Sequence, residues 1–238
     1  MLTGCSAEKE EQSLLTVSAA TSLSDVLQEI ATQFQDEHPE IDVQFNFGAS
    51  GSLKEQIEQG APVDVFISAS TDKFNELVDG DLIEDRTNLV SNDLVLITSA
   101  EQENIQTFQD LENEQIEKIA LGTPDTVPAG EYGQQALQYY DVWSKIESKI
   151  VYAKDVRQVL TYVETNNTQA GIVYKTDAIS SDKVRIVQTA DANSHDAIIY
   201  PAGVVTNTKL SEDAHLFLDY LADDSTRKIW EQYGFDMK

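Results

Sequence analysis

The stretch LLTVSAATSLSDVLQEIATQF, residues 14–34, changes its hydrophobic rhythm once, and that change decides the fold. An apolar, strand-like run gives way to Leu23, Val26, Leu27, Ile30, Ala31 and Phe34, the spacing of one buried helical face. Ser22 stands at the junction. The same grammar returns in IDVQFNFGASGSLKEQI, residues 41–57, where Ile41, Val43, Phe45 and Phe47 alternate as a strand and Ser50 stands at the junction. A helix is predicted from Ser52 to about Gln59, stopped by Gly60. A helix start carries unpaired N–H groups and the positive end of the helix dipole, so a serine there adds its hydroxyl to an anion cradle.

Strand and helix keep alternating outward from these two units. VDVFIS reads as a buried strand, and Phe74, Leu77 and Val78 mark a short helix. In the second half DLVLITS, KIALG, KIVYA, AGIVY and VRIVQT read as strands, GEYGQQALQYY and DVRQVLTYVET as helices. The order predicts an α/β fold with largely parallel sheet. The long apolar strands DLVLITS and AIIYPAGVVTN are expected to cross between two lobes, and SEDAHLFLDYLADD and STRKIWEQYGF to pack back on the first lobe. The division expected is 1–13 as a tether, 14–92 plus 204–238 as one lobe, and 93–203 as the other.

With 42 acidic and 16 basic residues among 238, the net charge is −26. Phosphate binding relies on Lys and Arg, so nucleic acid and anionic membrane surfaces are not expected as partners. The one cysteine, Cys5, excludes an internal disulfide and a multi-cysteine metal site. It lies in Leu2-Thr3-Gly4-Cys5, which resembles the lipobox at which bacterial lipoproteins are cleaved and lipid-modified, here without a charged and apolar leader ahead of it. Residues 6–13 fit a flexible tether, and no run is long enough to span a membrane.

Serine is a favoured N-cap with no ligand present, so either junction alone has a structural explanation. The pair gains weight because both serines fall at the carboxyl ends of strands, where ligands gather in α/β sheets. Gly48 and Gly51 also free the backbone around Ser50. Three further candidates are Ala129 in Thr126-Val127-Pro128-Ala129-Gly130, Val156 after the capping candidate Asp155, and Tyr174 at the end of GIVY. His38, His195 and His215 have no metal-ligand spacing, and GASGS departs from both the G-x-S-x-G elbow and the P-loop. A serine hydrolase using Ser22 or Ser50 is the competing reading, since triad partners meet only in space.

Taken together, VSAATSLSDVLQEIATQF, FGASGSLKEQIEQGAPVDVFISA, GTPDTVPAGEYGQQAL, KDVRQVLTYVE, GIVYKTDA and EQYGF resemble the molybdate-binding proteins of bacterial ABC transporters. The resemblance runs from about Leu15 to the C-terminus. It implies a class II periplasmic-binding fold: two lobes, each a mostly parallel sheet flanked by helices, joined by two crossing strands. It implies a non-enzymatic binder with no cofactor, whose ligand is molybdate or tungstate, with sulfate or another oxyanion as the alternative. The groups implied are the hydroxyls and N–H groups of Ser22 and Ser50, the N–H groups of Ala129 and Val156, and the Tyr174 hydroxyl, with no metal held directly by side chains. An ABC permease is the implied partner of a monomer attached outside the cell membrane through lipid on Cys5.

Overall fold

The computed structural model describes residues 12–237; the lipidation candidate Cys5 lies outside them. The chain opens with β1 (Ser13–Ala20), a 3-10 turn over Thr21–Leu23, α1 (Ser24–Glu37), β2 (Ile41–Gly48), α2 (Ser50–Glu58) and β3 (Val65–Ile67). α3 (Thr71–Asp79) and β4 (Ile83–Ser91) complete the first pass. The second holds β5 (Leu94–Ser99), β6 (Ile119–Gly122), α4 (Pro128–Tyr139), α5 (Trp143–Ile146), β7 (Ile150–Ala153), α6 (Val156–Glu164), β8 (Ala170–Tyr174), α7 (Lys175–Ile179) and β9 (Val184–Thr189). β10 (Ile199–Val205), α8 (Ser211–Ala222), α9 (Arg227–Gln232) and β11 (Asp236–Met237) close it.

The strands form a six-stranded sheet, order β11-β4-β10-β3-β1-β2, and a five-stranded sheet, order β7-β6-β8-β5-β9. One motif builds both. In the first, β1 lies between β2 and β3 and runs parallel to each; in the second, β6 lies between β7 and β8 and runs parallel to each. Each βαβαβ unit therefore steps outward to one side and then returns to the other, which opens a crevice at the carboxyl ends of its strands. The topology repeats although the sequence does not.

An antiparallel strand follows on the inner flank of each unit: β10 beside β3, and β5 beside β8. The sheets are consequently mixed rather than mostly parallel. DLVLITS and AIIYPAGVVTN supply these two strands, but neither crosses between lobes. β5 is paired on both sides within the second sheet and β10 on both sides within the first, because a buried strand satisfies its backbone groups only inside one ladder. The crossings fall just before them, at 92–93 and 190–198. Residues 199–203, expected in the second lobe, belong to the six-stranded sheet. β4 carries the other difference: its start lies in the acidic run DGDLIED, and its exposed middle, Glu84 to Arg86, hides the strand period.

Apolar burial accounts for the packing. α1 seats Val26, Leu27, Ile30 and Phe34 on the first sheet. The C-terminal helices return to that lobe, Phe217 of α8 meeting Phe34 edge to face with centroids 5.1 Å apart, and the Tyr233 hydroxyl donating to Glu29 at 2.8 Å.

Candidate ligand-binding site

The crevices of the two sheets face each other, and Ser22, Ser50, Ala129, Val156 and Tyr174 all line one cavity between them. Each is buried, at 3 % exposure or less. The cavity is small, about 10 Å³, roughly the room one water-sized body needs for its centre. Its wall is completed by Ala20, Thr21, Gly48, Ala49, Ala69, Val127 and Pro128, so none of its lining residues is charged.

Neither serine acts as a cap. Ala20 precedes the 3-10 turn that contains Ser22, and Ala49 is the N-cap of α2, which starts at Ser50, two residues earlier than the sequence pattern predicts. The hydroxyls are thereby free for other partners. Ser50 Oγ accepts the Ala69 N–H at 2.9 Å, and Ser22 Oγ lies 3.0 Å from the Tyr200 hydroxyl. Ser50 and Val156 are the first residues of α2 and α6, and Ala129 the second of α4, positions whose N–H groups have no carbonyl one turn back to bond. Asp155 does cap α6, accepting from Gln158 N at 2.8 Å.

Tyr174 ends β8, and its buried hydroxyl has no hydrogen-bond partner in the protein. Burial first, then the neighbouring Tyr200, raises its pKa well above the usual phenol value, so it remains a neutral donor. Tyr174→Phe should leave the ligand-free melting temperature equal or higher, since it removes an unpaired buried group, while weakening ligand binding by about 1.5–3 kcal/mol. Thermal melts and calorimetric titration of the same variant check both signs.

The lobes touch around the cavity. Gly51 N donates to Thr126 O at 3.0 Å, and the Tyr132 hydroxyl to Ala69 O at 3.4 Å. Arg157, next to Val156, reaches Asp25 on α1 at 2.7 Å. Its Nε also lies 2.9 Å from the fully buried Asp177, an ion contact without hydrogen-bond alignment. Burial pushes the Asp177 carboxyl up to about 7, against the opposing pull of Arg157.

A carboxyl raised in the folded state holds its proton where the unfolded chain has lost it. The stability linked to Asp177 is therefore present below about pH 4 and lost as pH rises through about 7. Wild type should gain stability relative to Asp177→Asn as pH falls from 8 to 4, checked by denaturant unfolding at each pH. A constant difference would contradict the shift.

No histidine lines the cavity. Among the described residues, Ser211, His215 and Asp85 do come together, on the surface of the first lobe. There His215 Nδ1 lies 2.6 Å from the Ser211 carbonyl and donates to it, so it cannot also take a proton from the Ser211 hydroxyl. Among the described residues no group of His, Cys, Asp and Glu is arranged to hold a metal ion, and no helix is long and apolar enough to cross a membrane. Sequence reasoning missed Ala69, which lines the cavity and donates to Ser50, and Tyr200 and Asn92, which sit behind Ser22; none of the three carries a motif of its own.

Two facing βαβαβ units that close on a donor-lined cavity define a binding protein, and the comparisons agree. The chain belongs to the family described as bacterial extracellular solute-binding protein, whose model matches residues 15–236, and so is a transport component rather than an enzyme. Within that class it is similar to the ModA-like proteins. It is 37 % identical to the molybdate-binding protein ModA of Haemophilus influenzae, over 94 % of this chain and 90 % of that one. It is 47 % identical to the Bacillus subtilis protein named "Putative ABC transporter substrate-binding lipoprotein YvgL", over 99 % of this chain and 93 % of the relative. Among solved structures, the Azotobacter vinelandii periplasmic molybdate-binding protein shares the fold, with TM-score 0.85, 23 % identity and coverage of 94 % and 99 %.

Proposed function

We propose that this chain captures a fully deprotonated tetrahedral oxyanion, molybdate or tungstate, outside the cell and delivers it to an ABC permease. The observation that carries the reading is the cavity wall: five donor-bearing residues from both lobes and no charged side chain. A buried dianion must exchange its water shell for oriented donors. About seven hydrogen bonds, each worth roughly 1.5–3 kcal/mol to a charged group, offset that loss and leave affinity to spare. Neutral donors also permit release, whereas a ring of lysines would hold the anion too firmly and admit chloride and phosphate. A protonated anion such as hydrogen phosphate needs an acceptor, and the four backbone N–H groups of this set can only donate. The relatives named for molybdate support the choice of ligand.

The protein works as a monomer held at the outer face of the membrane by lipid on Cys5, in keeping with the lipoprotein named among its relatives. Closure is a hinge motion about the crossings at 92–93 and 190–198. Calorimetric titration with molybdate, tungstate, sulfate and phosphate tests the reading. Molybdate or tungstate should bind one to one, and Ser50→Ala should weaken binding by about 1–3 kcal/mol while the chain stays folded. Preference for sulfate would make this a sulfate binder, and an unchanged affinity in Ser50→Ala would remove Ser50 from the pocket.

A further inference from the structure

Behind Ser22 runs a hydrogen-bond chain whose polarity is fixed at its far end. Asn92, at the first crossing between the lobes, accepts the Asp93 N–H on its Oδ1 at 2.9 Å. A backbone N–H can only donate, which pins the amide orientation and turns Nδ2 toward Thr176 Oγ1 at 2.8 Å and Tyr200 at 3.3 Å. The amide nitrogen can only donate in its turn. The Tyr200 oxygen therefore receives a hydrogen bond from Asn92, and because Ser22 Oγ, 3.0 Å away, is the remaining hydrogen-bond partner of this hydroxyl among the described residues, the arrangement that leaves no buried proton unpaired has Tyr200 donating to Ser22. With its acceptor side engaged from behind, Ser22 has its hydrogen free for the cavity.

Tyr200 is suited to the task. It is fully buried, its ring is held edge-on by Tyr174 at 5.9 Å and Phe235 at 5.6 Å, and burial raises its pKa far above the usual phenol value, so its proton stays in place. Ser50 is set the same way by a different donor, the Ala69 N–H. A free serine hydroxyl both donates and accepts, and would tolerate the proton of a hydrogen phosphate. Occupying one acceptor site on each serine and turning its hydrogen toward the cavity lowers that tolerance.

We infer that Tyr200 and Asn92 are positioning residues that turn the Ser22 hydroxyl so that it donates into the cavity, and that the discrimination against protonated oxyanions is set in part by this second layer. The inference rests on the oxyanion reading given above. Its test is calorimetric titration of the full chain with molybdate and with phosphate, in wild type, Tyr200→Phe, Asn92→Asp and the double variant, with melting temperatures confirming that each is folded.

Tyr200→Phe keeps the ring and frees the Ser22 hydroxyl to turn. Molybdate affinity should fall roughly tenfold, and the phosphate-to-molybdate affinity ratio should rise. Asn92→Asp replaces the donor by a carboxylate that takes the Tyr200 proton, so Ser22 must donate backward to Tyr200. The loss for molybdate should reach roughly a hundredfold. Once Tyr200→Phe has cut the chain, Asn92→Asp should cost markedly less than it does alone, whereas simple charge repulsion would make the two losses multiply. Wild-type affinity and ratio in Tyr200→Phe, or independent losses in the double variant, would overturn the inference and leave the oxyanion reading intact. Failure of wild type itself to bind any of the oxyanions tested would overturn both.

Discussion

Gly130→Ala should cost about 3 kcal/mol or more of stability and remove most of the oxyanion affinity. A Cβ at residue 130 would lie 2.1 Å from Gly122 O and 2.5 Å from Gly122 C. Those are backbone atoms at the end of β6, so no rotamer change relieves the clash, and α4 must lift from the strand on which it is seated. Overpacking of flexible side chains costs about 1–3 kcal/mol, and rigid backbone raises the figure. The same shift carries away the Ala129 N–H, one residue earlier in the helix. Urea unfolding and calorimetry measure the two losses, and wild-type values in both would show that α4 tolerates a displacement the packing forbids.

Gly51→Ala should separate binding from stability. Its Cβ would meet Thr126 Cα and O at 2.8 Å each, but these atoms belong to the opposite lobe. The clash can be avoided if the lobes remain apart, so each lobe keeps its own core and the unfolding midpoint stays close to wild type. Closure is what suffers. Affinity should drop more than tenfold, a change above about 1.4 kcal/mol, and small-angle scattering should show no compaction when molybdate is added. Wild-type affinity would mean that the Gly51–Thr126 contact plays no part in the bound state.

How much of this was legible beforehand follows from where the signal sits. Local pattern marks the strand-to-helix junctions, because apolar period and terminal glycines act within a few residues; all five candidate residues lie at such junctions. A cap role for Ser22 and Ser50 is the natural local alternative, but the fold puts Ala20 and Ala49 at the cap positions. Sheet membership is not local. β5 and β10 look like long bridging strands since both are uniformly apolar, whereas each is apolar because it is flanked by neighbours in a single sheet. β4 carries no strand signal in the sequence because its exposed middle is charged. The Asn92–Tyr200–Ser22 chain joins residues from three distant parts of the sequence, and an asparagine next to a strand or a tyrosine within one carries no mark of such a link.

As proposed above, neutral donors fixed in direction hold a fully deprotonated tetrahedral anion. Competition calorimetry at pH 7 with molybdate and phosphate tests it most directly. Molybdate should bind one to one and be preferred over phosphate by about a hundredfold or more, since each unmatched buried proton or charge costs about 1–3 kcal/mol. Equal affinity for the two anions, or no heat with molybdate, would contradict it.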